Sequence, residues 1–322
     1  MVEIPDKRPL GRSGIEIMPL MFGGNVFGWT ADEQQSFALL DAFTGAGLDS
    51  IDTADVYSRF VEGNEGGESE TIIGNWMAAR KNRESVVIAT KVGHDMGPFG
   101  KGLSRKHIFK SVDESLRRLR TDYIDLYQAH RDDLNTPMEE TLSAFAELIR
   151  AGKVRAIGAS NFTAARLREA LATSARLGLP RYETLQPRYN LYDREEFEAE
   201  LLPLCLDEDI VVIPFYGLAA GFLTGKYRTE ADAAQSPRGS NVQRSYLNPR
   251  GLRILKALDE VAEAYGTSQA SIALAWLMAQ PTIAAPIASA TKLSHIADFV
   301  QALRLELGEF ALDKLNEASN PA

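Results

Sequence analysis

In Asp52-Thr53-Ala54-Asp55-Val56-Tyr57, two carboxylates and a phenol fall within six residues. A phenol ionises only near pH ~10, so a tyrosine that passes protons at neutral pH needs a cation beside it to favour the phenolate. Lys91 closes the next apolar run, in Ala89-Thr90-Lys91, and His130 closes the one after it. If those runs are adjacent strands, Lys91 stands beside Tyr57 and lowers its pKa, while Asp52 keeps the ammonium charged and oriented. Ser160 and Asn161, then Gln186, end two further runs, and Phe215 and Tyr216 follow the next. Three neutral hydrogen-bonding groups on neighbouring strand ends suit a carboxamide, and each could equally cap a loop. Asp55 is expected to cap its turn and to take no part in the chemistry.

Residues so far apart can meet only if the runs before them lie side by side. The chain supplies eight short β-branched or apolar runs, at residues 19–22, 48–52, 86–90, 123–128, 154–159, 184–186, 210–214 and 285–289. Between and after them, apolar residues at three- and four-residue spacing predict helices over 32–46, 68–79, 104–119, 137–151, 163–177, 195–208, 252–265, 268–279 and 293–303. Asp32 and Ser104 stand where N-caps belong, Thr136 precedes Pro137 as a cap before a first-turn proline, and Gly152 and Gly178 mark helix ends. Strand and helix alternating through short links imply a parallel sheet covered by helices, and eight such units predict an α/β (β/α)8 TIM barrel with its active site at the C-terminal strand ends. A doubly wound sheet would carry a glycine-rich first turn, but Gly23-Gly24-Asn25-Val26-Phe27-Gly28 lacks the G-x-G-x-x-G spacing. Ahead of the barrel, residues 7–14 and 15–22 read as a hairpin around Arg12-Ser13-Gly14. No low-complexity linker divides residues 1–322, so one domain is expected. Residues 225–249, after the seventh strand, form the longest irregular segment, and a loop of that length on a barrel is expected to be functional.

These strand ends and their surroundings resemble the aldo-keto reductase superfamily. The likeness rests on Asp52 to Tyr57, Gly67-Glu68-Ser69-Glu70, Ala89-Thr90-Lys91, Asp122-Tyr123-Ile124-Asp125-Leu126-Tyr127-Gln128-Ala129-His130, Gly152 to Asn161, and Gly221-Phe222-Leu223-Thr224-Gly225-Lys226-Tyr227. It implies an NAD(P)H-dependent barrel enzyme that reduces aldehydes or ketones, with Asp52, Tyr57, Lys91 and His130 as its catalytic tetrad. By the same likeness Tyr57 gives the proton, His130 orients the carbonyl oxygen, and Lys91, backed by Asp52, steadies charge on Tyr57. Ser160, Asn161 and Gln186 would hold the nicotinamide carboxamide, Phe215 would stack on its ring, and the backbone at Leu218, Ala219 and Gly221 would wrap the diphosphate. Ser289, Thr291, Lys292, His295 and Asp298 open the last barrel helix, and Lys292 with that helix N-terminus is the candidate for the 2′-phosphate of NADPH. Relatives often carry an arginine near Thr291 or Lys292; a lysine neutralises phosphate without the guanidinium's two-point grip, so NADH use stays possible. Trp29, His94, Arg131 and Tyr216 are candidates for the substrate mouth. The resemblance also admits a nucleotide-binding sensor or regulatory subunit of the same fold with little turnover.

With 322 residues, 45% of them hydrophobic, the chain can bury a barrel-sized core. A net charge of −9 gives no general surface for a nucleic acid or an anionic membrane. The single cysteine, Cys205 in an apolar run, can form no internal disulfide and reads as a packing residue. No apolar segment follows the charged first residues and no run is long enough to span a bilayer, which points to a soluble protein of a reducing cytoplasm. A metal-dependent hydrolase built on His94, His130, Asp132 and Asp133 would need paired-ligand spacing such as H-x-H or H-E-x-x-H, which the chain lacks. The predicted partner is a small carbonyl compound, no metal is expected, and the sequence carries no signal for an oligomeric state.

Overall fold

A computed structural model of the protein describes residues 5–321; the first four residues, part of the N-terminal stretch read above, lie outside the described residues. The chain opens with an antiparallel pair, β1 (Arg8–Pro9) and β2 (Glu16–Ile17), turned by Gly11 and Gly14, both at positive φ. The hairpin is shorter than expected, because beyond Ile17 the chain leaves β1 and enters the barrel. There follow β3 (Met21–Gly23), β4 (Ser50–Asp52), β5 (Val87–Val92), β6 (Ile124–Ala129), β7 (Val154–Ser160), β8 (Thr184–Gln186), β9 (Val211–Val212) and β10 (Ile287–Ala288). These eight form one parallel sheet in the order β10-β3-β4-β5-β6-β7-β8-β9. Its two edges meet: the Ala284 amide donates to the Val212 carbonyl at 2.8 Å and the Ile287 amide to the Pro214 carbonyl at 2.9 Å. The ring is thus closed, as eight strand-helix units require.

Around it lie α1 (Glu33–Gly45), α2 (Glu68–Arg80), α3 (Arg105–Leu119), α4 (Met138–Arg150), α5 (Ala164–Leu177), α6 (Leu202–Asp207), α7 (Gly239–Tyr246), α8 (Pro249–Tyr265), α9 (Gln269–Met278), α10 (Leu293–Leu303) and α11 (Glu309–Ser319). In α3 the buried residues Ile108, Ser111, Val112, Ser115, Leu116 and Leu119 recur every three or four positions and make one stripe against the sheet. Asp32 and Ser104 cap as expected, accepting from the amides of Gln35 and His107. Thr136 does not: its hydroxyl donates to Asp133 at 2.6 Å, and Pro137 is itself the N-cap of α4. Gly178, at φ +65, ends α5 in the left-handed region that glycine enters most cheaply. Among the described residues no helix is long and apolar enough to cross a membrane.

Three expectations need correction. The helix expected at 195–208 is present but irregular: a π-helical turn (Phe197–Leu201) runs into α6, because Pro203 offers no N–H and its ring crowds the carbonyl one turn back. Residues 225–249 are not irregular: Glu230–Gln235 forms a 3-10 helix and α7 follows. The terminal helix α11, absent from the sequence reading, packs on α8.

Strand alternation divides the side chains between barrel and helices. Ala89, Leu126 and Ala156 enter the lower barrel with Met21, Ile213 and Ile287, and Leu10, Ile15 and Ile17 of the hairpin region close that end. Ile51, Ile88, Ile157 and Leu185 point outward into the larger core beneath the helices. The same period carries Asp52, Lys91, Gln128, Ser160 and Gln186 inward at the opposite end.

Candidate active site

At that upper end the buried Lys91 ammonium spends its three N–H donors on three oxygens: Asp52 Oδ2 at 2.7 Å, the Thr53 carbonyl at 2.8 Å and the Tyr57 hydroxyl at 2.8 Å. The Tyr57 hydroxyl donates to Asp52 Oδ2 at 3.1 Å, and Gln186 Nε2 donates to Asp52 Oδ1 at 2.9 Å. Tyr57 lies in the loop after β4, which is tied back to β5 through the Asp55 amide and the Lys91 carbonyl at 3.4 Å. The His130 ring stands edge-on to Tyr57, with centroids 6.1 Å apart. Its Nδ1 is buried without a partner among the described residues. Asp52, Tyr57, Lys91 and His130 are therefore brought together.

Burial sets the protonation of Lys91, Tyr57 and His130. It pushes Lys91 below the usual ammonium range, with Asp52 opposing the shift. Tyr57 was expected to be acidified by Lys91, and the structure reverses that. Burial raises its pKa well above 10, and Asp52, which accepts its proton in a hydrogen bond, raises it further. The positive charge of Lys91 is matched by Asp52 at the same oxygen, so Tyr57 faces a nearly neutral pair and desolvation decides. The phenol is thus held protonated, the state a proton donor requires. His130 is driven well below 6.5 by burial first and then by Lys91, His94 and Arg131, so its imidazole is neutral at pH 7.

The carboxamide candidates meet at the ends of β7 and β8. Ser160 donates to the Gln186 carbonyl at 2.9 Å, while Asn161, at φ +56, donates to the His130 carbonyl and to Ser160, both at 3.0 Å. Their donors tie three strand ends together, and the Gln186 amide holds Asp52. Phe215 and Tyr216 are in ring contact at 5.4 Å. Trp29 lies against Phe60 at 4.9 Å, and the His94 ring is 5.3 Å from that of His130. Arg131 is exposed at the rim. At the start of α10, Ser289 donates to Asn25 at 2.6 Å, Thr291 offers its carbonyl to Gln35, and Asp298 accepts from Ser268 at 2.7 Å, which turns its carboxylate toward α9. Asp132 is paired at 2.7 Å with Arg166, and Asp133 accepts from the Leu103 amide and Thr136. Among the described residues no group of three His, Cys, Asp or Glu is placed to hold a metal ion. Cys205 is buried, and burial pushes its thiol up to about 12, as a packing residue requires.

Two side chains escaped the sequence reading. Gln128, inward beside Lys91, accepts from Gln186 at 3.3 Å and was signalled only by its place two residues before His130. Arg238, just before α7, lays its guanidinium 4.8 Å from the centre of the Trp29 ring, with no carboxylate in ion-pair reach among the described residues. Nothing in its spacing marks it.

The model of the Aldo/keto reductase family matches residues 19–320. The chain belongs to the aldo/keto reductase family. Its relatives include a Bacillus subtilis (strain 168) protein named "Uncharacterized oxidoreductase YrpG", 34% identical over 96% of this chain and 94% of its own length. A protein of Oryza sativa subsp. japonica named "Probable voltage-gated potassium channel subunit beta" is 36% identical over 91% of this chain and 90% of its own length. The Escherichia coli (strain K12) "L-glyceraldehyde 3-phosphate reductase" is 32% identical over 92% of this chain and 87% of its own length. Membership supports oxidoreductase chemistry on small carbonyl compounds with a nicotinamide cofactor.

Three features of this aldo/keto reductase chain fit such a cofactor. Ala219, Ala220 and Gly221 run consecutively at φ +48, +56 and +94, a strained left-handed stretch of the kind found where backbone wraps a ligand. The start of α10 has no side-chain cap, leaving amides for an anion beside Lys292. The half-buried Arg238 guanidinium, without an acid partner among the described residues, is suited to a phosphate.

Proposed function

We propose that this protein reduces aldehydes or ketones to alcohols with NADPH, and that Tyr57 is the proton donor. The observation carrying this reading is the buried meeting of the Tyr57 hydroxyl, the Lys91 ammonium and the Asp52 carboxylate within 3.1 Å, beside a neutral His130. Bound nicotinamide supplies a hydride at its C4. Tyr57 gives its phenolic proton to the carbonyl oxygen as that oxygen gains charge. Lys91, held by Asp52 and the Thr53 carbonyl, keeps its hydrogen bond to Tyr57 as the phenolate forms. The neutral imidazole of His130 orients the carbonyl oxygen with an N–H donor.

In this reading Ser160, Asn161 and Gln186 hold the carboxamide, Phe215 stacks on the ring, and Leu218, Ala219 and Gly221 wrap the diphosphate with help from Arg238. Lys292 and the α10 N-terminus, flanked by Ser289, Thr291, His295 and Asp298, take the 2′-phosphate, with NADH as a weaker substitute. Trp29, His94, Arg131 and Tyr216 line the mouth, where Arg131 favours an anionic tail of the kind carried by the triose phosphate in the E. coli relative's name. The whole chain acts as one barrel domain in the cytoplasm. The test is NADPH oxidation by the wild-type protein across an aldehyde panel that includes 4-nitrobenzaldehyde and methylglyoxal. Turnover is expected, and none across the panel would sink the reading. A second reading, a nucleotide-binding subunit with little turnover, draws on the relatives named as channel β subunits. Tight NADPH binding without oxidation of cofactor would favour it.

A further inference from the structure

Three buried acids and two buried or near-buried cations meet around Tyr57 and across the barrel wall behind it. Asp52 has Lys91 at 2.7 Å. Glu70 has Arg118 Nε at 2.7 Å, and its other oxygen accepts the Thr90 hydroxyl at 2.6 Å. Gly67 makes room for that pair, since a side chain there would collide with the Arg118 guanidinium. Arg118 also lies 3.9 Å from Glu114 at the surface, so it carries no spare positive charge. Asp55 is the third acid: 2% exposed, and among the described residues without an ion pair and with its buried Oδ1 unpartnered. The groups whose charge is coupled to its own are Glu70 on α2, Arg118 on α3, Lys91 on β5, Tyr127 on β6 and Tyr57 in its own loop. The Tyr127 hydroxyl is likewise buried without a partner among the described residues.

An ionised carboxylate withdrawn from water without a cation is far costlier than the neutral acid. Each cation here is already matched to one acid, so a proton on Asp55 is what brings the cluster to neutrality. We propose that Asp55 is a positioning residue kept as the neutral acid at neutral pH, and that its ionisation in alkali tightens the hold of Tyr57 on its proton. The second half rests on the reading of Tyr57 as the group that transfers the proton; the first does not. The only covalent change is loss of the Asp55 carboxyl proton to solvent. Burial and the nearby Glu70 push that carboxyl up to about 8, and the charge it then acquires disfavours the Tyr57 phenolate. In alcohol oxidation, where Tyr57 must accept a proton, the alkaline rise in rate is therefore delayed.

The first test needs no activity: thermal unfolding of the cofactor-free wild type and of Asp55→Asn across pH 4 to 9. In the unfolded chain Asp55 ionises near 3.8, whereas the fold keeps its proton up to about 8. The native state thus binds the extra proton between those values, and wild-type stability from this group falls as pH rises through the window. The Tm of Asp55→Asn minus that of wild type is expected to climb between about pH 4 and 8 and then level off. A difference that does not change with pH overturns the proposal. Asp55→Ser, smaller and equally neutral, repeats the measurement if the amide is not accommodated. The second test is the pH profile of alcohol oxidation with NADP+, whose alkaline rise in Asp55→Asn is expected about one pH unit lower, roughly a tenfold change in the proton equilibrium. Parallel profiles would refute the coupling to Tyr57. If neither protein turns over, the carbonyl-reductase reading has failed, while the unfolding series still decides where Asp55 titrates.

Discussion

With Lys91 wholly buried and its donors spent on Asp52, Thr53 and Tyr57, its removal strands Asp52 in the barrel without a cation. Lys91→Met is expected to cost about 3–5 kcal/mol in urea unfolding, and Lys91→Met with Asp52→Asn to recover much of it, because the penalty is the unpaired charge. Equal losses in the two variants would mean that the pair is not what matters. His130 gives a pH-dependent counterpart. The fold holds its imidazole neutral well below 6.5, whereas the unfolded chain protonates it near 6.5. The unfolded state therefore binds more protons below that pH, and the contribution of His130 to stability is lost as pH falls. In unfolding series from pH 7 to 5, His130→Asn is expected to gain on the wild type as pH drops; a gap that stays constant would place the His130 pKa near its ordinary value. That Asp52, Lys91 and His130 close successive apolar runs, with Tyr57 in the loop five residues beyond Asp52, was legible in the sequence. The protonation of Lys91, Tyr57 and His130 was not, since it follows from burial and from Asp52 sharing one oxygen between Lys91 and Tyr57. Asp55 shows the same limit: its place in a turn suggested capping, yet the fold buries its carboxyl.

Strands and helices make the site rigid through close contacts that allow few substitutes. At Gly158 in β7 a methyl group would collide with the Thr184 hydroxyl and stand 3.2 Å from Gln128 Cγ, directly beneath the site. Gly158→Ala is expected to destabilise by about 1–3 kcal/mol through overpacking, read from its urea midpoint; an unchanged midpoint would show that β7 and β8 can part there. The uncapped start of α10 carries a different expectation. Lys292→Ala should weaken NADPH binding more than NADH binding in a fluorescence titration, because only NADPH presents a 2′-phosphate to the lysine and the free amides. Equal weakening of both cofactors would remove Lys292 from that role. The strands were readable because each ends where apolar residues give way to polar ones. Helix α7 and the Glu230–Gln235 turn were not, because Ser236-Pro237-Arg238-Gly239 reads locally as loop although tertiary packing holds helices on both sides of it. The π-helical turn before α6 was signalled by Pro203, yet the apolar spacing alone suggested a regular α-helix.

At the scale of the whole molecule, closure of the eight-stranded ring is what lets residues 134 positions apart, Asp52 and Gln186, share a hydrogen bond. Inward-facing positions along the strands are apolar at one end of the barrel and carry Asp52 and Lys91 at the other, with the N-terminal hairpin closing the apolar end. Alternating strand and helix patterns made this architecture legible, whereas Arg238 against Trp29 depends on where the segment after β9 folds back, which no local pattern records. The central claim is that this barrel places Tyr57 to give a proton to a bound carbonyl. It is tested most directly by comparing wild type and Tyr57→Phe for kcat in aldehyde reduction, with the NADPH Kd of each measured alongside. Loss of the hydroxyl should lower kcat by about 10²–10⁴-fold while NADPH binds as before. Wild-type turnover retained by the phenylalanine variant would contradict the account.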